Sequence, residues 1–109
     1  MGRSSKDGSL SRYEKMVTIA VRYNNYLKHP KFKFSLSSSS RKRRNETLLF
    51  VKRVRQTLAK LTRDERFMLE NEFFDINQNQ FWWERFYTKS TYYRKRSFAI
   101  KAFIGIFEQ

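Results

Sequence analysis

Apolar residues recur along this chain in steps of three and four, the spacing that lines them up on one side of a helix. Tyr13, Met16, Val17, Ala20, Asn24 and Leu27 make the first such stripe, with Arg12, Lys15 and Arg22 off it. Ile19, Val21, Tyr23 and Tyr26 broaden it, so this helix is expected to meet more than one neighbour. Ser9 or Ser11 can cap its start, and His29-Pro30 ends it, because the residue before a proline is pushed out of helical geometry. A second helix is predicted over 45–59, buried through Leu48, Val51, Val54 or Arg55, and Leu58, and widened by Leu49 and Phe50. Thr62 followed three residues later by Glu65 is a capping box, and Asp64 adds negative charge beside the positive helix end. A third helix therefore starts near Arg63. It buries Met68, Leu69, Phe73 and Phe67, and at most the stem of Glu72.

Residues 75–80 form a polar break, and residues 81–87 then make about two helical turns. Phe81, Trp82, Phe86 and Tyr87 exposed together would leave a sticky patch. Most are therefore expected in the core, with Trp82 or Trp83 wedged between helices. A platform on which single-stranded bases stack is the alternative. Residues 88–90 form a turn, and Ser90 is read as the cap of a last helix starting near Thr91. That helix opens with Tyr92, Tyr93, Arg94, Lys95 and Arg96, then turns apolar with Phe98, Ala99, Ile100, Ala102, Phe103, Ile104, Ile106 and Phe107. A basic start suits insertion into a groove. The apolar end suits burial as a central strut, and offers a surface to a second copy or a partner. Residues 31–44 interrupt the pattern: Lys31-Phe32-Lys33-Phe34, a run of serines, then Arg41-Lys42-Arg43-Arg44. They are read as a flexible basic linker whose cations can follow phosphates. The expected fold is all-α: a disordered lead-in over 1–9, then one domain over 10–109. That domain is a bundle of about five helices with a helix-turn-helix over about 62–107.

Charge changes the picture most. A net charge of +14 on 109 residues attracts polyanions, nucleic acid first and an anionic membrane surface second. The absence of cysteine excludes disulfides and thiolate chemistry. A single histidine beside a proline, no glycine-rich phosphate loop and no nucleophile with an evident base argue against an enzyme. Five of the ten acidic residues, Asp64, Glu65, Glu70, Glu72 and Asp75, fall in the third helix. Two belong to its cap, and the others are expected on a solvated face, so no cofactor, metal or catalytic residue is expected. No apolar run approaches the ~20 residues needed to span a bilayer. The N-terminus lacks a signal-peptide core, and Lys6 stands where a myristoylation motif wants Ser or Thr. A cytoplasmic protein without a membrane partner is expected.

Leu61-Thr62-Arg63-Asp64-Glu65-Arg66 resembles the "L-[ST]-x-x-E-R" opening of the promoter-reading C-terminal domain of bacterial sigma factors. In that family a helix, a short helix, a turn with serine and a recognition helix ending in Ala-x-x-x-Phe/Leu follow. Ser90, Ala99 and Phe103 stand at matching places. Trp82-Trp83 with Ser90-Thr91-Tyr92-Tyr93-Arg94 looks closer to small sigma-like proteins of mycoplasma-type bacteria, and ArpU-type phage late regulators share a similar layout. The resemblance spans about 61–107. It departs at the short helix, where the family has small residues and this chain has Trp82, Trp83 and Arg85. It implies a second helix lying in the DNA major groove, with Lys89, Thr91, Tyr92, Arg94 and Lys95 touching bases or phosphates. Arg94 and Lys95 suit base edges, since arginine reads guanine bidentately. Lys89, Ser90, Thr91 and Arg96 suit phosphates, and Arg41, Lys42, Arg43 and Arg44 suit nonspecific phosphate contact. The expectation is a DNA-binding transcription regulator or sigma-like factor on double-stranded DNA, with RNA polymerase as a further partner. The rival readings are an RNA- or ribosome-associated basic protein that reads shape, and a protein-interaction module built on the apolar end of the last helix.

Overall fold

The apolar stripes fold into four α-helices in a computed structural model that describes residues 10–28, 38–75 and 79–109, with the backbone alone for 38–44. These are α1 (Arg12–Lys28), α2 (Ser38–Lys60), α3 (Arg63–Leu69) and α4 (Lys89–Phe107). A π-helical turn, Glu70–Phe74, continues α3, and a 3-10 turn, Trp82–Arg85, precedes α4. Among the described residues there is no strand, so the all-α expectation stands, with four helices where about five were expected. The segment read as a further helix is reduced to Trp82–Arg85, closed by i→i+3 bonds from Glu84 N to Phe81 O (3.1 Å) and from Phe86 N to Trp83 O (2.9 Å). The lead-in 1–9, His29-Pro30 and the Lys31-Phe32-Lys33-Phe34 stretch lie outside the described residues.

Two helices open on the same device. At α1, Ser11 Oγ accepts from Glu14 N (3.1 Å) while Ser11 N donates to Glu14 Oε1 (2.9 Å). At α3, Thr62 Oγ1 accepts from Glu65 N (3.2 Å) while Thr62 N donates to Glu65 Oε1 (2.9 Å). Each pair satisfies two backbone donors that a helix start otherwise leaves without partners. α4 begins earlier than expected, at Lys89, because Thr88 is its cap and accepts from Thr91 N (3.3 Å). Ser90 therefore sits inside the first turn.

α2 begins at Ser38 instead of Asn45, taking Arg41, Lys42, Arg43 and Arg44 into its helical backbone. Val54 and Leu58 are buried as expected and Val51 partly so, but Thr47 and Thr57 join them inside, while Leu48 and Leu49 are 52% and 65% exposed. A threonine tolerates the interior here because Thr57 Oγ1 donates back to Arg53 O at 2.8 Å. The π turn bonds each residue to the fifth before it and widens the coil. Both adjacent phenylalanines of that turn meet α1, Phe73 beside Tyr13 (6.1 Å) and Phe74 edge-on to Tyr23 (5.3 Å). Asn24 of α1 donates to the Phe73 carbonyl (2.9 Å), so that acceptor is not left bare.

α4 is the strut on which α1, α2 and α3 pack. Ala99, Ile100, Phe103 and Ile104 meet Met16, Ala20 and Tyr23 of α1, Val54 and Leu58 of α2, and Met68 and Leu69 of α3 in one core. Phe103 is fully buried and stacks on Phe107 at 5.5 Å. Each such full burial contributes about 1.5–3 kcal/mol. The far end of α4 is tied down too. Arg53 donates to the Phe107 carbonyl and lies 4.5 Å over its ring, and Lys15 pairs with Glu108 at 2.9 Å. Trp82 is buried as expected, but Phe81 and Phe86 are 52% and 58% exposed, which corrects the expectation that most of these aromatics are core. A four-residue 3-10 turn has too few positions facing the bundle to bury them all.

Candidate nucleic-acid interface

Helical spacing sorts the start of α4 into two sides. Lys89, Ser90, Tyr93, Arg94, Ser97 and Lys101 share the outer side and are all exposed. Lys89, Arg94 and Lys101 make no hydrogen bond or ion pair with any described residue, so their charges are free to meet a ligand. Tyr93 presents a ring between them. Beside this face, Arg12 and Tyr13 of α1 line a shallow groove with Tyr93, Arg96, Ser97 and Ile100.

The inner side is bound to a carboxylate. Glu72, in the π turn, accepts from Trp82 Nε1 (2.9 Å) on one oxygen, and from Tyr92 Oη (2.5 Å) and Arg96 Nη1 (3.3 Å) on the other. Its side chain keeps only 15% exposure. The solvated role expected for Glu72 is thereby corrected: it joins the π turn, the 3-10 turn and α4 at one point. The Arg96 guanidinium also lies over the rings of Tyr93 (4.9 Å), Tyr13 (5.0 Å) and Tyr92 (5.5 Å). Trp83 stacks on Tyr92 at 4.5 Å and 13°, closing the cluster from the other side. Burial, and then the bond to Glu72 and its charge, raise the Tyr92 phenol well above its ordinary range. Burial and then the Asp64 charge raise Tyr87. Burial alone would weaken the Arg96 charge, but the Tyr92 and Glu72 oxygens more than offset it and its pKa is raised.

The contact residues read from the sequence therefore separate. Lys89, Ser90 and Arg94 lie on the open face. Thr91 is half-buried, and its hydroxyl accepts from Thr88 Oγ1 (2.9 Å). Tyr92 is 5% exposed and engaged with Glu72. Lys95 is half-buried, 4.0 Å from Asp64 and 5.8 Å over the Tyr87 ring. Arg96 is held in the tyrosine cluster. The side chains of Arg41, Lys42, Arg43 and Arg44 lie outside the described residues. Tyr93, Ser97, Lys101 and Arg12 join the face although spacing within the last helix did not single them out. Tyr93, Ser97 and Lys101 follow once the inner side is known, whereas Arg12 comes from a different helix and carried no local signal.

Among the described residues no group of three or more acidic or histidine side chains could hold a metal ion, and no helix is long and apolar enough to cross a membrane. No family model matches the chain, nor does any curated protein or solved structure.

Proposed function

We propose that the protein is a non-enzymatic regulator of transcription that binds double-stranded DNA through the outer side of the first turns of α4. The observation that carries this reading is the set of cations there, Lys89, Arg94 and Lys101, on one exposed helix face and with no partner among the described residues, in a chain with net charge +14. A free cation beside hydroxyl and phenol groups can make phosphate contacts and, from arginine, a bidentate contact to guanine. The order of α3, 3-10 turn, capped turn and α4 is that of the helix-turn-helix in the sigma-like resemblance, with α4 as the recognition helix. RNA polymerase as a partner follows from that resemblance alone. In this reading Arg94 is the base-reading residue and Lys89 and Ser90 hold phosphates. Tyr92, Lys95 and Arg96 orient the helix from behind. The basic first turns of α2 add affinity without sequence preference.

Selection of bound sequences from a random duplex pool at physiological salt, with folded RNA as competitor, tests it. A motif should be enriched, and Arg94→Ala should relax one position of that motif at a cost of roughly 1–3 kcal/mol, leaving thermal stability unchanged. Failure to enrich any motif, with RNA competing as well as DNA, would overturn the reading in favour of a shape-reading RNA protein.

A further inference from the structure

The two exposed phenylalanines beside the 3-10 turn are not used by the contacts proposed above. Phe81 and Phe86 line one groove together with Asn79, Trp82, Glu84 and Arg85. Trp82 is buried beneath them. Phe86 leans on it at 6.3 Å and meets Phe67 edge-on at 5.2 Å, so that ring is held while its outer part stays open. Phe81 is anchored through its backbone, whose N–H donates to Asn79 Oδ1 at 2.7 Å. The Phe86 ring, half open to water and held by Trp82 and Phe67, is what a stacking platform needs, because an unpaired base loses its own stacking and regains it on a pre-ordered ring, and Phe81 adds a second exposed ring at the same groove.

Charge identifies the occupant. Exposed Arg85 and Lys89 flank the groove in sequence, Glu84 is the one acid lining it, and the chain as a whole is strongly cationic. An aromatic groove with Arg85 in its lining, on a chain of net charge +14, matches a ligand that combines aromatic faces with a polyanionic backbone. We propose that Phe81 and Phe86 receive an unpaired base of a nucleic acid, and that the protein prefers DNA with a flipped-out or single-stranded nucleotide next to the duplex held by α4. This rests on the DNA-binding reading above for the duplex part, and adds the junction as the preferred substrate. Asn79 and Arg85 place donors and acceptors at the groove's rim, so the base edge can be met as well as its face.

The full chain is titrated with three fluorescein-labelled probes: a fully paired duplex, the same duplex carrying one unpaired thymine, and an oligothymidylate. The bulged duplex should bind about tenfold more tightly than the paired one, within what stacking of one base on aromatic rings contributes. Its binding, and that of unlabelled oligothymidylate, should quench the tryptophan fluorescence of Trp83→Phe, whose one remaining indole is Trp82 at the groove floor. Phe81→Ala should abolish the preference for the bulge and leave paired-duplex affinity unchanged, and Phe86→Ala should do the same where it folds. Equal affinity for both duplexes overturns the platform and leaves the duplex reading intact. Oligothymidylate binding with quenching but no duplex binding keeps the platform and overturns the duplex reading. No binding to any probe overturns both, and an aromatic groove on a cationic chain would then fit an acidic protein partner.

Discussion

Replacing Glu72 by alanine tests whether the acceptor under α4 holds that helix in place. Three donors from two elements, Trp82 of the 3-10 turn and Tyr92 and Arg96 of α4, converge on it, and the two shortest bonds, from Tyr92 at 2.5 Å and Trp82 at 2.9 Å, carry most of the effect. Hydrogen bonds to a charged acceptor contribute about 1.5–3 kcal/mol net each. They do not add here, since all three share one carboxylate. Arg96 keeps 23% exposure and can regain water, so its longer bond counts for little. The balance is a loss of about 3 kcal/mol, at the low end of what removing one partner of a buried pair costs. In a domain of this size that lowers Tm by roughly 12–24 °C. Urea unfolding followed by far-ultraviolet circular dichroism measures it, free of the direct effect of the mutation on the Trp82 signal. Glu72→Gln retains an acceptor but not the charge opposite Arg96, and should lose about half as much. A loss below about 0.5 kcal/mol, the range of ordinary surface substitutions, would show that the carboxylate is solvated and would refute the reasoning. A cycle with Tyr92→Phe adds a second check, because the two changes should couple by at least about 0.5 kcal/mol.

Tyr92 also makes stability fall in alkali. Its phenol has a raised pKa in the folded protein and the ordinary value of 10.0 when unfolded, so above that value only the unfolded state releases the proton. The stabilisation is complete below about pH 10 and lost as pH rises beyond it, and the urea midpoint should drop more steeply in the native protein than in Tyr92→Phe. Parallel slopes would count against a buried phenol. Thr62→Ala removes half of the capping box at α3 and should cost about 1 kcal/mol by the same assay, with helix content otherwise retained. Gly105 has nothing within 4 Å of where a Cβ would stand, and it lies within a helix. Gly105→Ala should therefore stabilise the protein by about 0.5–1 kcal/mol, and a lower Tm would mean that this side of α4 is covered in solution.

Local signals carried far in this chain and tertiary ones did not. The capping box at Thr62 was legible because its partners lie three residues apart, and both bonds are present. The stripe of α1 was legible for Met16 and Ala20, yet Leu27 of the same stripe is 49% exposed, because period alone cannot say how far a neighbouring helix extends. In α2 Val54, not Arg55, is buried, Leu58 with it as its spacing implies, and only the N-terminal part of the face shifts from Leu48 to Thr47. A buried threonine bonded to its own helix leaves no apolar trace in the sequence. Spacing puts Glu72 on the inner stripe of its helix, while its charge argues for water. Its donors stand 10, 20 and 24 residues away, and no periodicity reveals them.

The same carboxylates explain why so cationic a chain can present a basic face at all. Each ion pair among the described residues has one end on α4 or its C-cap: Lys95 with Asp64 of α3, Arg96 with Glu72 of the π turn, and Glu108 with Lys15 of α1. The few acids therefore neutralise the cations that face the bundle or fasten the helix end, and leave those on the outer side uncompensated. The Lys95–Asp64 and Lys15–Glu108 pairs are exposed and contribute little to stability individually, unlike the largely buried Arg96–Glu72 pair. The buried side of α4, with Tyr92, Ala99, Ile100, Phe103 and Ile104, sets its rotation, so that Lys89 and Arg94 lie exposed while Arg96 faces the bundle, and the ion pairs follow that orientation. Exchanging an inner for an outer cation would then not be neutral even at constant net charge. Arg96 is held by three rings and a carboxylate, whereas Arg94 has none of these among the described residues and is exposed.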